Sequence, residues 1–168
     1  SGASAVEFAL VAGPFFYVLG CICETGLMLF TEYVIQNAVQ EAARDVRTGQ
    51  VSSSSGTATM TAADFKTSLC NNISTLINCG AYVTVYVNSA ADFATLKTTV
   101  SDPITIGQKS DGTWTATVFT PGGQKVAGTV IATYDWDFAF PFMSFLGNVF
   151  NGSKRRLYGM AVYRNEPF

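Results

Sequence analysis

The chain has 168 residues, ten of them basic and twelve acidic, for a net charge of −2, and it contains no histidine. That balance excludes a nucleic-acid surface, which needs concentrated lysine and arginine. The missing imidazole excludes Ser-His, Cys-His and His-metal chemistry. With no phosphate-cradling glycine motif and no zinc-type cysteine quartet, no cofactor and no metal are expected. The carboxylates beyond residue 60 (Asp64, Asp92, Asp102, Asp111, Asp135, Asp137 and Glu166) carry no catalytic signature, so an enzyme is not expected either.

Residues 1–31 hold no lysine or arginine and only two charges, Glu7 and Glu24, in an otherwise apolar run. Residues 8–30 supply the roughly 20 apolar residues that cross about 30 Å of hydrocarbon. A carboxylate at that depth is costly without a partner or a proton, so both glutamates point to a helix that works beside other helices. For Glu24 the partner is either a hydroxyl such as Thr25 or Tyr17 on a neighbour, or the lipid headgroups at the outer interface. Gly13, Gly20 and Gly26 permit close approach of neighbouring helices. Pro14 removes one ladder hydrogen bond and invites a kink. Cys21 and Cys23 lie about 200° apart around a helix and read as small buried packing residues. Ile35, Val39, Ala42 and Val46 continue the helix as an amphipathic stripe. It stops at Gly49, just after Arg44 and Arg47, for a length of about 70 Å.

Residues 51–58 form a small, polar linker. Thr61 and Asp64 make an approximate capping box for a short helix striped by Phe65, Leu69, Ile73 and Leu76. Strands are expected over 81–87, 114–119 and 126–134, with a turn at Pro121-Gly122-Gly123. Residues 138–149 are apolar, broken by Pro141, and read as a loop plus a short helix covering the core. A last strand spans 156–163. Asp135 and Asp137 read as a solvated strand edge, and Lys154-Arg155-Arg156 as a solvated strand end. The expected fold is α+β: a long hydrophobic N-terminal helix, then a head with a short helix on a three- to four-stranded antiparallel sheet. The divisions fall at 1–49 for the helix, 50–60 for the Ser/Thr-rich linker and 61–168 for the head. Cys70 and Cys79 are expected to form a disulfide in an oxidising, extracytoplasmic head. A straight helix over both would hold their Cα atoms about 13 Å apart, beyond the limit near 7 Å, so the helix must end several residues before Cys79. Asn72-Ile73-Ser74 and Asn151-Gly152-Ser153 fit the N-x-S acceptor pattern.

Four stretches together resemble TadE-like pilins, membrane-anchored subunits of tight-adherence (Tad) pilus systems. Gly2-Ala3-Ser4-Ala5-Val6-Glu7-Phe8 resembles the prepilin-peptidase pattern, and Cys23-Glu24-Thr25-Gly26 the acidic-then-glycine element of the membrane helix. Residues 37–44 with Arg47-Thr48-Gly49-Gln50 resemble the helix exit, and residues 161–167 (AVYRNEP) the C-terminal signature. The resemblance implies processing between Gly2 and Ala3, which would make Glu7 the fifth residue of the mature chain. It also implies that Glu7 pairs with a neighbouring subunit's terminal amine, at an axial offset of about 9 Å from Ser1 or about 6 Å from Ala3. The implied function is a structural subunit, extracted from the inner membrane and polymerised through its first helix into a bacterial cell-surface filament. Its partners would be copies of itself or other pilins, and the pilus assembly machinery. The alternative is a minor pilin, or a membrane-anchored assembly or tip factor, serving a filament of another major pilin. A surface-anchored binding module, with a pocket lined by Tyr82, Tyr86, Trp114 or Trp136, is a third reading.

Overall fold

The computed structural model describes residues 2–71, 73, 77, 79–100, 102–106, 118–149 and 154–168. Helix α1 (Gly2–Arg47) runs unbroken for 46 residues, about 69 Å, and passes through Gly13-Pro14 without ending. Its stop is the expected one. The amides of Thr48 and Gln50 each reach back 3.0 Å to the Arg44 and Asp45 carbonyls, and Gly49 has φ +79°, a left-handed conformation open to glycine without strain. Arg44 and Arg47 stand in the last turn, where their charge complements the helix dipole.

The sheet contains β1 (Val83–Ala90), β2 (Val118–Phe119), β3 (Ala127–Asp137) and β4 (Lys154–Arg164), in the order β2-β1-β3-β4. β1, β3 and β4 pair antiparallel. β2 lies parallel to β1, so the sheet is mixed rather than all antiparallel. The long connection between β1 and β2 is what permits a parallel return. Pro121-Gly122-Gly123 then carries the chain past β1 to β3 instead of closing a hairpin.

Alternation along the strands separates two faces. Val83, Val85, Val87, Val130, Ala132, Leu157 and Ala161 face the main core, with Ile35, Val39, Ala42 and Val46 of α1. Gly159 lets helix and sheet meet: a Cβ there would stand 2.9 Å from both the Gln36 Cα and the Ile35 carbonyl oxygen. The Gln36 side chain accepts from the Met160 amide at 2.9 Å and donates to its carbonyl at 3.0 Å, so α1 also covers the edge of β4. The opposite face packs Tyr86, Ile131 and Ile106. Helix α4 (Phe93–Thr99), absent from the sequence expectation, lies there with Leu96 buried, N-capped by Asp92 through the Thr95 amide.

Helix α2 (Ala62–Asn71) starts on the expected box: the Asp64 amide donates to Thr61 Oγ1 at 3.2 Å, and the Thr61 amide to the Asp64 carboxylate at 3.3 Å. It ends before Ile73, which is buried beyond it; Leu76 lies outside the described residues. Cys70 and Cys79 are bonded, with Cα atoms 5.4 Å apart, so the chain folds back as the spacing required. A helical turn, α3 (Cys79–Tyr82), takes the place of the first two residues of the strand expected over 81–87. Of the strand expected over 114–119 only β2 is described, and Ser1, Asn72, Ser74, Asp111, Trp114 and the Asn151-Gly152-Ser153 pattern lie outside the described residues. β3 and β4 run longer than expected because their charged ends pair across the ladder, Asp135 opposite Arg156 and Asp137 opposite Lys154. Asp135 and Arg156 are therefore not a merely solvated edge, whereas Asp137 keeps its side chain 71 % exposed. Arg156 Nε sits 2.7 Å from Asp135 with its side chain 4 % exposed, and Arg156 also donates to the Ile104 carbonyl. Val51, in the stretch that reads as a polar linker, is buried in the core.

Candidate functional site

The first helix divides into two environments. Residues 2–19 are exposed apart from Ala12, which is half-buried, and the segment keeps its helical form although its flanks are apolar. Val6, Phe8, Leu10, Val11, Phe15 and Phe16 are each at least 60 % exposed. Gly2, Ala3 and Glu7 share that exposure, and among the described residues Glu7 makes no hydrogen bond or ion pair. Gly13 and Gly26 have open space where a Cβ would stand, and Pro14 is exposed beside Gly13. α1 is long and apolar enough to cross a membrane.

Contact with the head begins at Tyr17, whose ring lies 5.8 Å from Phe140 and 4.5 Å from Phe142. At Gly20 a Cβ would come within 2.5 Å of the Phe140 ring. This glycine therefore accommodates the chain's own head, where the sequence assigned it to a neighbouring helix. Cys21 is half-buried, its thiol reaching the Tyr17 carbonyl at 3.0 Å. Cys23 is exposed, contrary to the buried packing role expected for both.

Glu24 is the centre of the junction. Only 5 % exposed, its carboxylate accepts from the Ala139 amide at 2.6 Å, the Phe140 amide at 3.3 Å and Trp136 Nε1 at 3.4 Å. The expected partner was a hydroxyl on a neighbour or the lipid headgroups. The structure supplies it from the end of β3 and the segment that follows. Successive backbone N–H groups form a small concavity for an anion, and the hydrogen bonds compensate for removing the carboxylate from water. Residues 139–140 could not be identified from sequence, because a backbone amide leaves no side-chain signature, and Trp136, read only as an aromatic able to line a pocket, gave no sign of its reach to Glu24. The available signal was negative: residues 138–149 carry no charge, so any answer to the glutamate there comes from neutral N–H or O–H donors.

The far end of α1 is tied down by the C-terminus. Arg47 pairs with Glu166 at 3.2 Å, the Glu166 amide donates to the Arg47 carbonyl at 3.0 Å, and the Phe168 ring covers Gly49. Asn165, buried, donates to the Gly123 and Pro121 carbonyls at 2.7 and 3.2 Å. The helix-exit stretch and the C-terminal stretch, 117 residues apart between Gly49 and Glu166, thus form one joint. Tyr163 packs over Gly128 with its hydroxyl unpaired among the described residues, and burial pushes its phenol well up.

Bonds at Glu24, Gln36 and Arg47-Gly49, with the core packing between them, hold the later part of α1 on the head and leave its first part projecting. Its chemistry is that of an apolar rod with one carboxylate, Glu7, that has no partner among the described residues. The family model described as TadE-like protein matches residues 2–44, the projecting half and most of the docked half. No curated protein and no solved structure matches the chain. The resemblance expected from the motifs is therefore met over the first helix.

Proposed function

We propose that this chain, TadE-like through its first helix, is a pilin-like structural subunit. It is held in the inner membrane by α1 before assembly and polymerises through that helix into a cell-surface filament. The observation that carries the reading is the division of α1: an exposed, apolar, helical first part bearing Glu7, which has no partner among the described residues, and a remainder fixed to the head. Such a helix finds its partners outside its own chain, since an apolar surface of this extent is otherwise left in water. Within a bundle of like helices, a neighbour's terminal ammonium gives Glu7 a counter-charge in low dielectric, where the attraction is strong and each charge relieves the other's burial. Gly13 and Gly26, with open space around them, permit backbones to come close.

The test is a Glu7→Gln variant expressed in the source cell and compared with the parent in sheared and membrane fractions. Loss of the sheared form with normal membrane insertion supports polymerisation through this carboxylate. A parent chain found only in the membrane fraction, beside filaments of another protein, assigns it instead to the minor or assembly-factor role.

A further inference from the structure

A cleft of about 390 Å³ opens on the head between α1 and the end of β3, within the size range of small-molecule sites. Phe30 and Thr31 of α1 form one wall, Tyr134 and Trp136 of β3 a second, and Ile77 with Tyr82 a third. Tyr134 and Trp136 are two apart on one strand and share a face of the sheet, their rings 6.4 Å apart and inclined at 68°. Tyr82 ends the helical turn that Cys79 opens, so the Cys70–Cys79 bond steadies the third wall. Tyr82 is 65 % exposed and Phe30 50 % exposed. Of the aromatics that the sequence offers for a pocket, Tyr82 and Trp136 meet here, whereas Tyr86 is buried on the opposite face of the sheet.

The electrostatics of this cleft select a class of ligand. No charged side chain lines it among the described residues. Thr31 commits its hydroxyl hydrogen to the Leu27 carbonyl at 2.8 Å and keeps its oxygen as an acceptor. The Trp136 N–H points to the Glu24 carboxylate at 3.4 Å, a bond that pushes electron density into the indole and strengthens the negative face of its ring. Burial first, then the Asp137 carboxylate and Tyr82, push the Tyr134 phenol up, with Lys154 opposing them by less. Lys154 is itself paired with Asp137 at 2.9 Å. The field beside these rings is therefore negative on balance.

We propose that this cleft binds a quaternary ammonium group, a trimethylammonium cation of the choline type, with its methyl groups against Tyr82, Tyr134 and Trp136. A cation within about 6 Å of several ring faces is attracted by the quadrupole of each. A methylated ammonium has no N–H to satisfy, so aromatic walls with a negative field behind them suffice for it. A primary ammonium would lose hydrogen bonds to water that this lining does not replace. A saccharide would lack the fixed carboxylate or amide side chains that orient its hydroxyls. The site lies on the head and is independent of how α1 assembles.

The test is a titration of the full chain in dodecyl maltoside micelles, followed at the indole N–H resonance of Trp136, which is identified by its loss in Trp136→Phe. Choline chloride is compared at constant ionic strength with its neutral carbon isostere, 3,3-dimethyl-1-butanol, and with methyl α-glucoside. The expected result is a saturable shift with choline at an affinity about tenfold above that of the isostere. Tyr82→Leu is expected to weaken choline about fivefold, while Tyr82→Phe, which keeps the ring, leaves it unchanged. Tyr82 is largely exposed, and a thermal midpoint equal to the parent's shows that either variant is folded. Phosphocholine binding as tightly as choline names a headgroup as the source of the cation, and binding of choline alone names the free base; both support the site. An isostere that matches choline reduces the cleft to an apolar slot, and binding of the glucoside alone makes it a saccharide site. Either result overturns the proposal, as does the absence of a saturable shift with choline or an affinity that Tyr82→Leu leaves untouched.

Discussion

Glu24 accepts three N–H donors while 5 % exposed, so its removal orphans amides as well as deleting bonds. Glu24→Ala is expected to destabilise the docked head by about 2–3 kcal/mol, read from thermal unfolding in detergent micelles. Glu24→Gln, which keeps an acceptor but turns a donor toward one amide, is expected to lose roughly half of that. An unchanged midpoint for the alanine variant would contradict the latch. Tyr163 predicts the opposite sign. Its hydroxyl is buried without a partner among the described residues, so Tyr163→Phe is expected to leave the midpoint unchanged or raise it, and a marked drop would reveal a bond beyond them. Two exposed carboxylates predict the acid limb. The Thr61 hydroxyl, then its amide, hold the Asp64 carboxyl below its ordinary value, and the Thr95 amide, then its hydroxyl, do so for Asp92. Because the folded-state values are the depressed ones, their contribution is complete above about pH 4 and is lost as pH falls through them. Carboxyl-carbon NMR titration should give both midpoints below the ordinary carboxylate range, with the first turns of α2 and α4 loosening as each titrates.

At the scale of elements, α1 approaches β4 closely at Gly159, where any side chain meets backbone rather than a movable group. Gly159→Val is expected to separate helix from sheet and to break the Gln36 bonds to Met160, with a loss of several kcal/mol seen as exposure of Ile35 to hydrogen exchange. Reduction of Cys70–Cys79 is expected to cost about 2–3 kcal/mol, since it closes a short loop. These elements also show what a sequence can carry. The stripe Ile35, Val39, Ala42, Val46 and the stop at Gly49 were legible because helical period and a left-handed glycine are local properties. The Thr61–Asp64 box and the fold-back before Cys79 were legible for the same reason. α4 was not called for by any long apolar period; Asp92 ahead of Phe93 and Leu96 was its only local sign. The parallel placement of β2, the buried Asp135–Arg156 pair and the amides around Glu24 depend on pairings across 21 to 116 residues, which composition and period do not encode.

At the scale of the whole molecule, one helix serves two purposes because the head grips only part of it. The docked part is core; the projecting part, which bears Glu7, is the surface we propose for assembly with neighbours. The Glu24 junction fixes where the head grips the rod, and so sets how much of the helix projects beyond it. The most direct measurement is helical reconstruction by cryo-EM of material sheared from the cell surface, with this chain identified from side-chain density. The account predicts a filament of this chain with its α1 helices at the axis, Glu7 within ion-pair distance of a neighbour's terminal amine, and Glu24 still bonded to the amides of its own head. A filament built of another protein, or one in which Glu7 faces solvent and the helices do not touch, would contradict it.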